Sequence, residues 1–325
     1  MIEQNTTLQD NNVNEVNKRN WKKYNEELVV RGKFYIDLDF KDTWYDELNE
    51  MNYKKNGRPY KFPQSFIKME MVWHQFVDYR GIEGMARKLS EYNLIPEYND
   101  YTTIFRRICK LKPDIVMPEY NDLEIASDGT GMKTSGAGQY RIYKWGKKGG
   151  KKNKFLVITI TAEVNTKKLL SIDSHIEGRG NSEASIAEKH IKNLSMKGYN
   201  IKKFYGDGAY DTNNMFYTLD ALNIESGIKI RKNAAPENMK GSKYRRREAR
   251  LAISMVYKLW VKIKNYGKRW NGTEGINSSV KRKYGEALRA KKPETLECEG
   301  YQKFLVYDMV KTYGEIHTYG AMKMP

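Results

Sequence analysis

Three acidic side chains, far apart along the chain, stand where hydrolysis or transfer at a phosphodiester could be run. Asp128 follows the apolar run Leu123-Glu124-Ile125-Ala126-Ser127 and precedes Gly129 and Gly131, and Asp207 leaves Phe204-Tyr205-Gly206 just before Gly208. Glycine lets a phosphate come close at both places, although an Asp before Gly is also what an ordinary strand-ending turn uses. Glu274 shares one helix face with Asn277, Ser278 and Lys281. That face could set a metal ion beside a phosphate, and its bland reading is a solvated polar surface. Breaking or joining a phosphodiester needs an activated hydroxyl and neutralised charge at the leaving oxygen, which two Mg²⁺ (or Mn²⁺) ions about 3.5 to 4 Å apart supply. Such hard cations require several carboxylates together. Other chemistries have little support. His74, His175, His190 and His317 lack zinc-ligand spacing. Cys109 and Cys298 have no paired spacing, and no GxxxxGK[ST] loop occurs, so no disulfide framework, zinc site or nucleotide cofactor is expected.

The elements that must position these acids read as follows. Phe66, Met69, Val72, Trp73, Phe76 and Val77 recur at helical steps between Pro63 and Tyr79, and Ile82, Met85, Ala86 and Leu89 mark a second helix. A third is predicted from Thr103 to Leu111, capped by Asp100 or Thr102. It carries Arg106, Arg107 and Lys110 opposite Ile104, Ile108 and Leu111, which suits the recognition helix of a trihelical DNA reader as well as a solvated basic face. Beyond a linker bracketed by Pro113 and Pro118, strands are predicted at Leu123–Ser127, Phe155–Glu163 and Lys168–His175, the last two turned by Asn165-Thr166. A helix capped by Ser182, a strand Ile201–Tyr205, a helix capped by Asp211 and a strand Gly227–Ile230 follow. Two long helical stretches should occupy roughly residues 248–264 and 270–290.

Charge narrows the partner. A net +18, from 58 Lys and Arg against 40 Asp and Glu, points to a polyanion. Lys240, Lys243, Arg245, Arg246, Arg247 and Arg250 form one basic run and Gly146–Lys152 another, each a DNA-backbone surface or a merely solvated stretch. No apolar run is long enough to span a bilayer and no secretory signal opens the chain, so neither membrane nor export is expected. Residues 1–30 read as a flexible polar arm and 316–325 as a tail.

With these residues in place, the chain resembles the DDE transposases of prokaryotic insertion sequences, groups numbered four and five, over roughly Arg31 to Lys311. The stretch Asn99-Asp100-Tyr101-Thr102-Thr103-Ile104-Phe105-Arg106-Arg107 is similar to their helical DNA-binding part. The resemblance implies an α/β fold: an RNase H-like mixed sheet flanked by helices over 119–315, behind an N-terminal all-α DNA-binding domain over 31–115. It implies Asp128, Asp207 and Glu274 as catalytic ligands of two metal ions, with Lys281, Arg282, Arg269, Arg106, Arg107, Lys110, Arg245 and Arg246 as DNA contacts. The family signature sets a Lys after six residues beyond the Glu, and Lys281 fits. It also sets an Arg before the Glu with three residues between them, whereas four residues lie between Arg269 and Glu274, and Tyr266 shifts with it. The implied activity is to bind terminal inverted repeats, cut the element ends and join the 3′-hydroxyl to target DNA, as a homodimer on double-stranded DNA in a prokaryotic, nucleoid-containing cytoplasm. A structure-selective nuclease of the same fold, or a non-catalytic DNA-binding protein from a decayed element, would share most of these features.

Overall fold

Among the described residues five α-helices come first: α1 (Trp21–Lys33), α2 (Trp44–Asn52), α3 (Gln64–His74), α4 (Tyr79–Glu91) and α5 (Tyr101–Lys110). The computed structural model describes residues 20–134, 155–178, 182–238 and 240–320, so the basic stretch Gly146–Lys152 lies outside the described residues. Part of the expected polar arm is helical. Asn20 caps α1 by accepting from the Lys23 amide, and Glu27 and Val30 are buried. Polar composition hid this helix because the surface covering it comes from the far end of the chain.

Helix α3 forms where periodicity placed it, yet it is enclosed on nearly all sides, with Phe66, Ile67, Met71 and Val72 fully buried. Its Glu70 is buried as well, and accepts one bond from Asn99 Nδ2 at 2.9 Å. Burial pushes the Glu70 carboxyl up from 4.5 to about 8, against smaller opposing pulls from Asn99 and Arg107. A folded-state value above the unfolded one means that Glu70 stabilises fully below about pH 4.5 and progressively loses that contribution as pH rises through 8. Glu70→Gln should therefore flatten the fall in unfolding free energy between pH 5 and 8, which this one carboxyl makes steeper by about 1.4 kcal/mol for each pH unit crossed. Urea titrations at both pH values check this, and equal pH slopes for the two proteins would refute it.

Among the described residues the sheet has six strands: β1 (Asp122–Thr134), β2 (Leu156–Glu163), β3 (Leu169–Ile176), β4 (Asn200–Gly206), β5 (Glu225–Ile228) and β6 (Ala287–Leu288). Their order is β3-β2-β1-β4-β5, and β6 pairs the end of β1. The first three strands form an antiparallel meander, while β4 and β5 run parallel to β1. Between β3 and β4 lies α6 (Glu183–Met196), capped by Ser182 as expected. The mixed sheet flanked by helices is the RNase H-like arrangement that the family resemblance implies. Several boundaries differ. Asp128 does not end its strand, because β1 stays in register with β2 as far as Met132 opposite Leu156, and Met132 is buried. Thr212, not Asp211, caps α7 (Asn213–Ala221) by accepting from the Met215 amide. Asp211 instead receives the Arg231 amide and Arg245 Nε, and is buried. The helix expected over 248–264 is two: α8 (Lys243–Ile253) and α9 (Tyr257–Lys264). The stretch expected as one helix from Trp270 is a π turn (Trp270–Glu274), then α10 (Gly275–Tyr284), then β6.

Residues 293–319 form the longest helix, α11 (Pro293–Tyr319), of which the expected tail supplies the last turn. It lies between the amino-terminal helices and the sheet, touching α1, α3, α5, β2 and β3. The fit is close: a Cβ added at Gly300 would fall 2.2 Å from Leu156 Cδ2. One apolar cluster consequently runs from Phe66, Ile104 and Ile108 through Phe304 and Leu305 to Leu156, Ile158 and Leu169. Cys109 on α5 and Cys298 on α11 are free thiols that meet in this contact, Cys298 Sγ lying 3.4 Å from the Cys109 carbonyl.

Candidate active site

Parallel pairing of β1 with β4 stops at Ala126 opposite Tyr205. Continuing that register two residues sets Asp128 level with Asp207, where β4 has just ended at Gly206. The carboxyl end of a parallel strand beside a reversal of strand order is where open α/β sheets leave a crevice. Two carboxylates thus open onto one crevice from neighbouring strands. Asp207 Oδ1 accepts from the Ala209 amide at 2.7 Å, which fixes its rotamer in the turn.

The third acid arrives on the π turn. Its closing bond runs from the Gly275 amide to the Trp270 carbonyl, five residues back, so positions five apart complete one turn. This geometry absorbs the extra residue in the Arg-to-Glu spacing. Arg269 Nη2 donates to Glu274 Oε1 at 3.1 Å, and Nη1 lies 3.7 Å from Asp128 Oδ1. Gly272 lets the turn press on Val164, whose Cγ1 would stand 3.2 Å from an added Cβ. Arg269 is nearly buried, between the rings of Tyr266 and Trp270 at 5.6 and 5.5 Å. Tyr266 hydroxyl donates to the Gly206 carbonyl at 3.4 Å. The shifted residues Tyr266 and Arg269 therefore join the acids after all, tying the π turn to β4 and β1.

One turn beyond Glu274, Asn277 Nδ2 donates to Asp128 Oδ2 at 3.2 Å. Asn277 was read from sequence only as part of a polar face, and Ser278 on the same face is exposed. Sequence reasoning missed Glu183 altogether, the first residue of α6. Its carboxylate rests on Gly129, where a Cβ would fall 2.2 Å from Oε1.

Burial pushes the Asp128 carboxyl up to about 6, with Arg269 opposing and Glu274, Asp207 and Glu183 adding to the rise. A site that concentrates negative charge on so few cations suits an added one. Among the described residues no three His, Cys, Asp or Glu side chains stand as a ready-made metal cluster. The donors around the crevice nevertheless fit a hard divalent ion. They are all oxygen, and the buried Asn277 Oδ1 and Tyr210 hydroxyl lack any partner among the described residues.

A model described as a transposase DDE domain matches residues 120–309, more than half the chain, and a second of the same description matches 29–137. The chain belongs to the DDE transposase family. It is thereby a DNA-cleaving and DNA-transferring enzyme by class. Solved structures give slighter likenesses to this DDE transposase. The Drosophila P element transposase strand transfer complex is 11% identical, covers 82% of this chain and 69% of its own, and has a TM-score of 0.32. The Mos1 strand transfer complex is 10% identical over 84% and 82%, with a TM-score of 0.23. The Mos1 mariner paired-end complex with Mn is 11% identical over 87% of each chain, also at 0.23.

The expected DNA contacts of the DDE transposase separate by their surroundings. Arg106, Lys110 and Arg282 are exposed and Lys281 half-exposed. Arg107 is turned inward, over the Tyr60 ring at 4.6 Å and bonded to the Phe62 carbonyl at 3.3 Å. Arg245 is paired with buried Asp211 at 2.7 Å, and Arg246 is half-buried. The basic run over 240–250 is thus in part a set of internal ties. No described helix is long and apolar enough to cross a membrane.

Proposed function

We propose that this DDE transposase binds the terminal inverted repeats of its element, cuts at the ends and joins the freed 3′-hydroxyl to target DNA. The observation that carries this reading is Arg269 set between Asp128 and Glu274, with Asn277 bonded to Asp128 and with Asp207 at the end of the neighbouring parallel strand. Those three carboxylates would hold two Mg²⁺ or Mn²⁺ ions, which when bound activate the attacking hydroxyl and stabilise the leaving oxygen. The chain's own residues prepare the place. Asn277 fixes one oxygen of Asp128, and Asp207 is held by the Ala209 amide. Arg269 balances the acids' charge before substrate arrives, and Lys281, two turns along from Glu274, faces an incoming phosphate.

Residues 31–115 would act as the DNA-binding part over a catalytic part from 119 to 315, with Arg106, Lys110 and Arg282 as phosphate contacts and Arg107, Arg245 and Arg246 supporting the surfaces beside them. A homodimer would pair two ends on double-stranded DNA in a prokaryotic cytoplasm. The test is a plasmid bearing the element's ends, incubated with purified protein and Mg²⁺ or Mn²⁺. Strand-joined products are expected. Cation-dependent nicks without joining would make the protein a nuclease, and binding without breakage would end the enzymatic reading.

A further inference from the structure

Tyr210 is fully buried, and its hydroxyl has no partner among the described residues. It stands on the turn Gly208–Tyr210, which Asp207 caps and which packs against α6, the helix that Glu183 opens. Its ring cannot easily turn away. It packs so closely on Gly206 that an added Cβ there would lie 2.8 to 3.0 Å from three ring and Cβ atoms, and it meets Phe204 edge-on at 5.7 Å. Glu183 is held in the same place by different means. Ser182 caps α6 immediately before it, and the bare Cα of Gly129 leaves the space its carboxylate fills. Burial raises the Glu183 carboxyl and Asp207 adds to the rise.

The crevice therefore has two unlike walls. On one, Arg269 compensates Asp128 and Glu274. On the other, the Glu183 carboxylate lies over Gly129, and Asp207 caps the turn that carries a buried hydroxyl with no partner among the described residues. A hydroxyl fixed between carboxylates can donate to one of them or accept from an ion-bound water, and a carboxylate pair lacking a cation is an incomplete oxygen site. We propose that Glu183 and Tyr210 complete the cation site on the wall opposite Arg269, Glu183 as a fourth carboxylate ligand and Tyr210 as a positioning hydroxyl. This rests on the reading of Asp128, Asp207 and Glu274 as cation-holding acids.

Mn²⁺ titration of the full chain without DNA, read by loss of the free-ion paramagnetic resonance signal, tests it. Glu183→Gln should weaken binding about tenfold or abolish one equivalent, and Tyr210→Phe should weaken it roughly three- to tenfold. Gly129→Ala should reproduce the Glu183→Gln result with every charge retained, because the new methyl displaces the carboxylate. Thermal unfolding without metal identifies any variant that fails to fold, and Tyr210→Phe, which removes one atom from a site with no bond to lose, keeps the test usable. Asp128→Asn separates the two readings. If it loses Mn²⁺ while Glu183→Gln and Tyr210→Phe titrate as wild type, the added wall is refuted and the three acids stand. If Asp128→Asn also titrates as wild type, both readings fall.

Discussion

Asp128→Asn is expected to lower cation-dependent nicking of end-bearing DNA by about 10³-fold or more, because a metal-held transition state loses several kcal/mol with one of its ligands. Asp207→Asn and Glu274→Gln should do the same. DNA affinity should persist or rise slightly, since each change removes a negative charge from a protein of net +18. Groups acting as one unit are non-additive, so Asp128→Asn combined with Glu274→Gln should cost little more than either alone. Glu124→Gln is the informative control. Glu124 lies on the same strand as Asp128 but is bonded to Lys268 Nζ and Tyr205 hydroxyl, both at 2.9 Å, so its loss should leave nicking near the wild-type rate. Gel quantification of nicked plasmid against time, with affinity measured in parallel, decides the matter. Wild-type nicking by any one of the three acid variants would remove that acid from the mechanism.

How far the sequence revealed this site depends on which interactions are local. Helices α3 to α5, the meander and the Ser182 cap follow from periodicity and capping chemistry within a dozen residues, and they appear in the structure. Asp128 was legible as an acid on an apolar strand, but the continuation of β1 past Gly129 and Gly131 was not. Partners more than twenty residues away, β2 and β6, hold that extension. Helix α11 was invisible for a related reason. A helix covered on both sides shows no apolar stripe, and here buried Glu299, Lys303, Asp308 and Lys311 interrupt the apolar residues while finding partners in distant segments. Arg269 looked out of place because four residues, where the family signature has three, lie between it and Glu274, and nothing local in the sequence showed that the chain takes a π turn there. Glu183 carried no signal beyond being acidic in a first helical turn, where acids are common. Gly129 was the nearest clue, and what a glycine makes room for cannot be read from the glycine.

Lys168→Ala should be among the most destabilising single changes in the molecule, at about 3 to 5 kcal/mol, because it strands a buried charge. Lys168 follows the turn between β2 and β3, and its Nζ donates to both Asp308 oxygens, at 3.0 and 2.8 Å, and to Thr312 Oγ1 at 2.5 Å. The two side chains are 3% and 2% exposed, so solvent cannot take over when one partner leaves. Burial raises the Asp308 carboxyl and Lys168 is the chief influence lowering it, which marks the pair as mutually dependent. The nearby Lys311 is already committed to Glu315 at 2.9 Å and to the Thr166 carbonyl at 3.0 Å. Replacing both partners by apolar residues of similar volume, Lys168→Met with Asp308→Leu, should restore most of the loss, since desolvation of the pair offsets much of its attraction. Urea midpoints of the single and double variants supply the measurement, and equal destabilisation in both would show that lost packing, not stranded charge, sets the cost. This pair fastens the β2 to β3 hairpin to α11, and β2 holds β1 in register through Asp128 opposite Ile160, so the pair reaches the acids through the stability of the fold and not through their chemistry. Below its lowered unfolding midpoint Lys168→Ala should therefore nick DNA at the wild-type rate, and above it lose nicking and fold together.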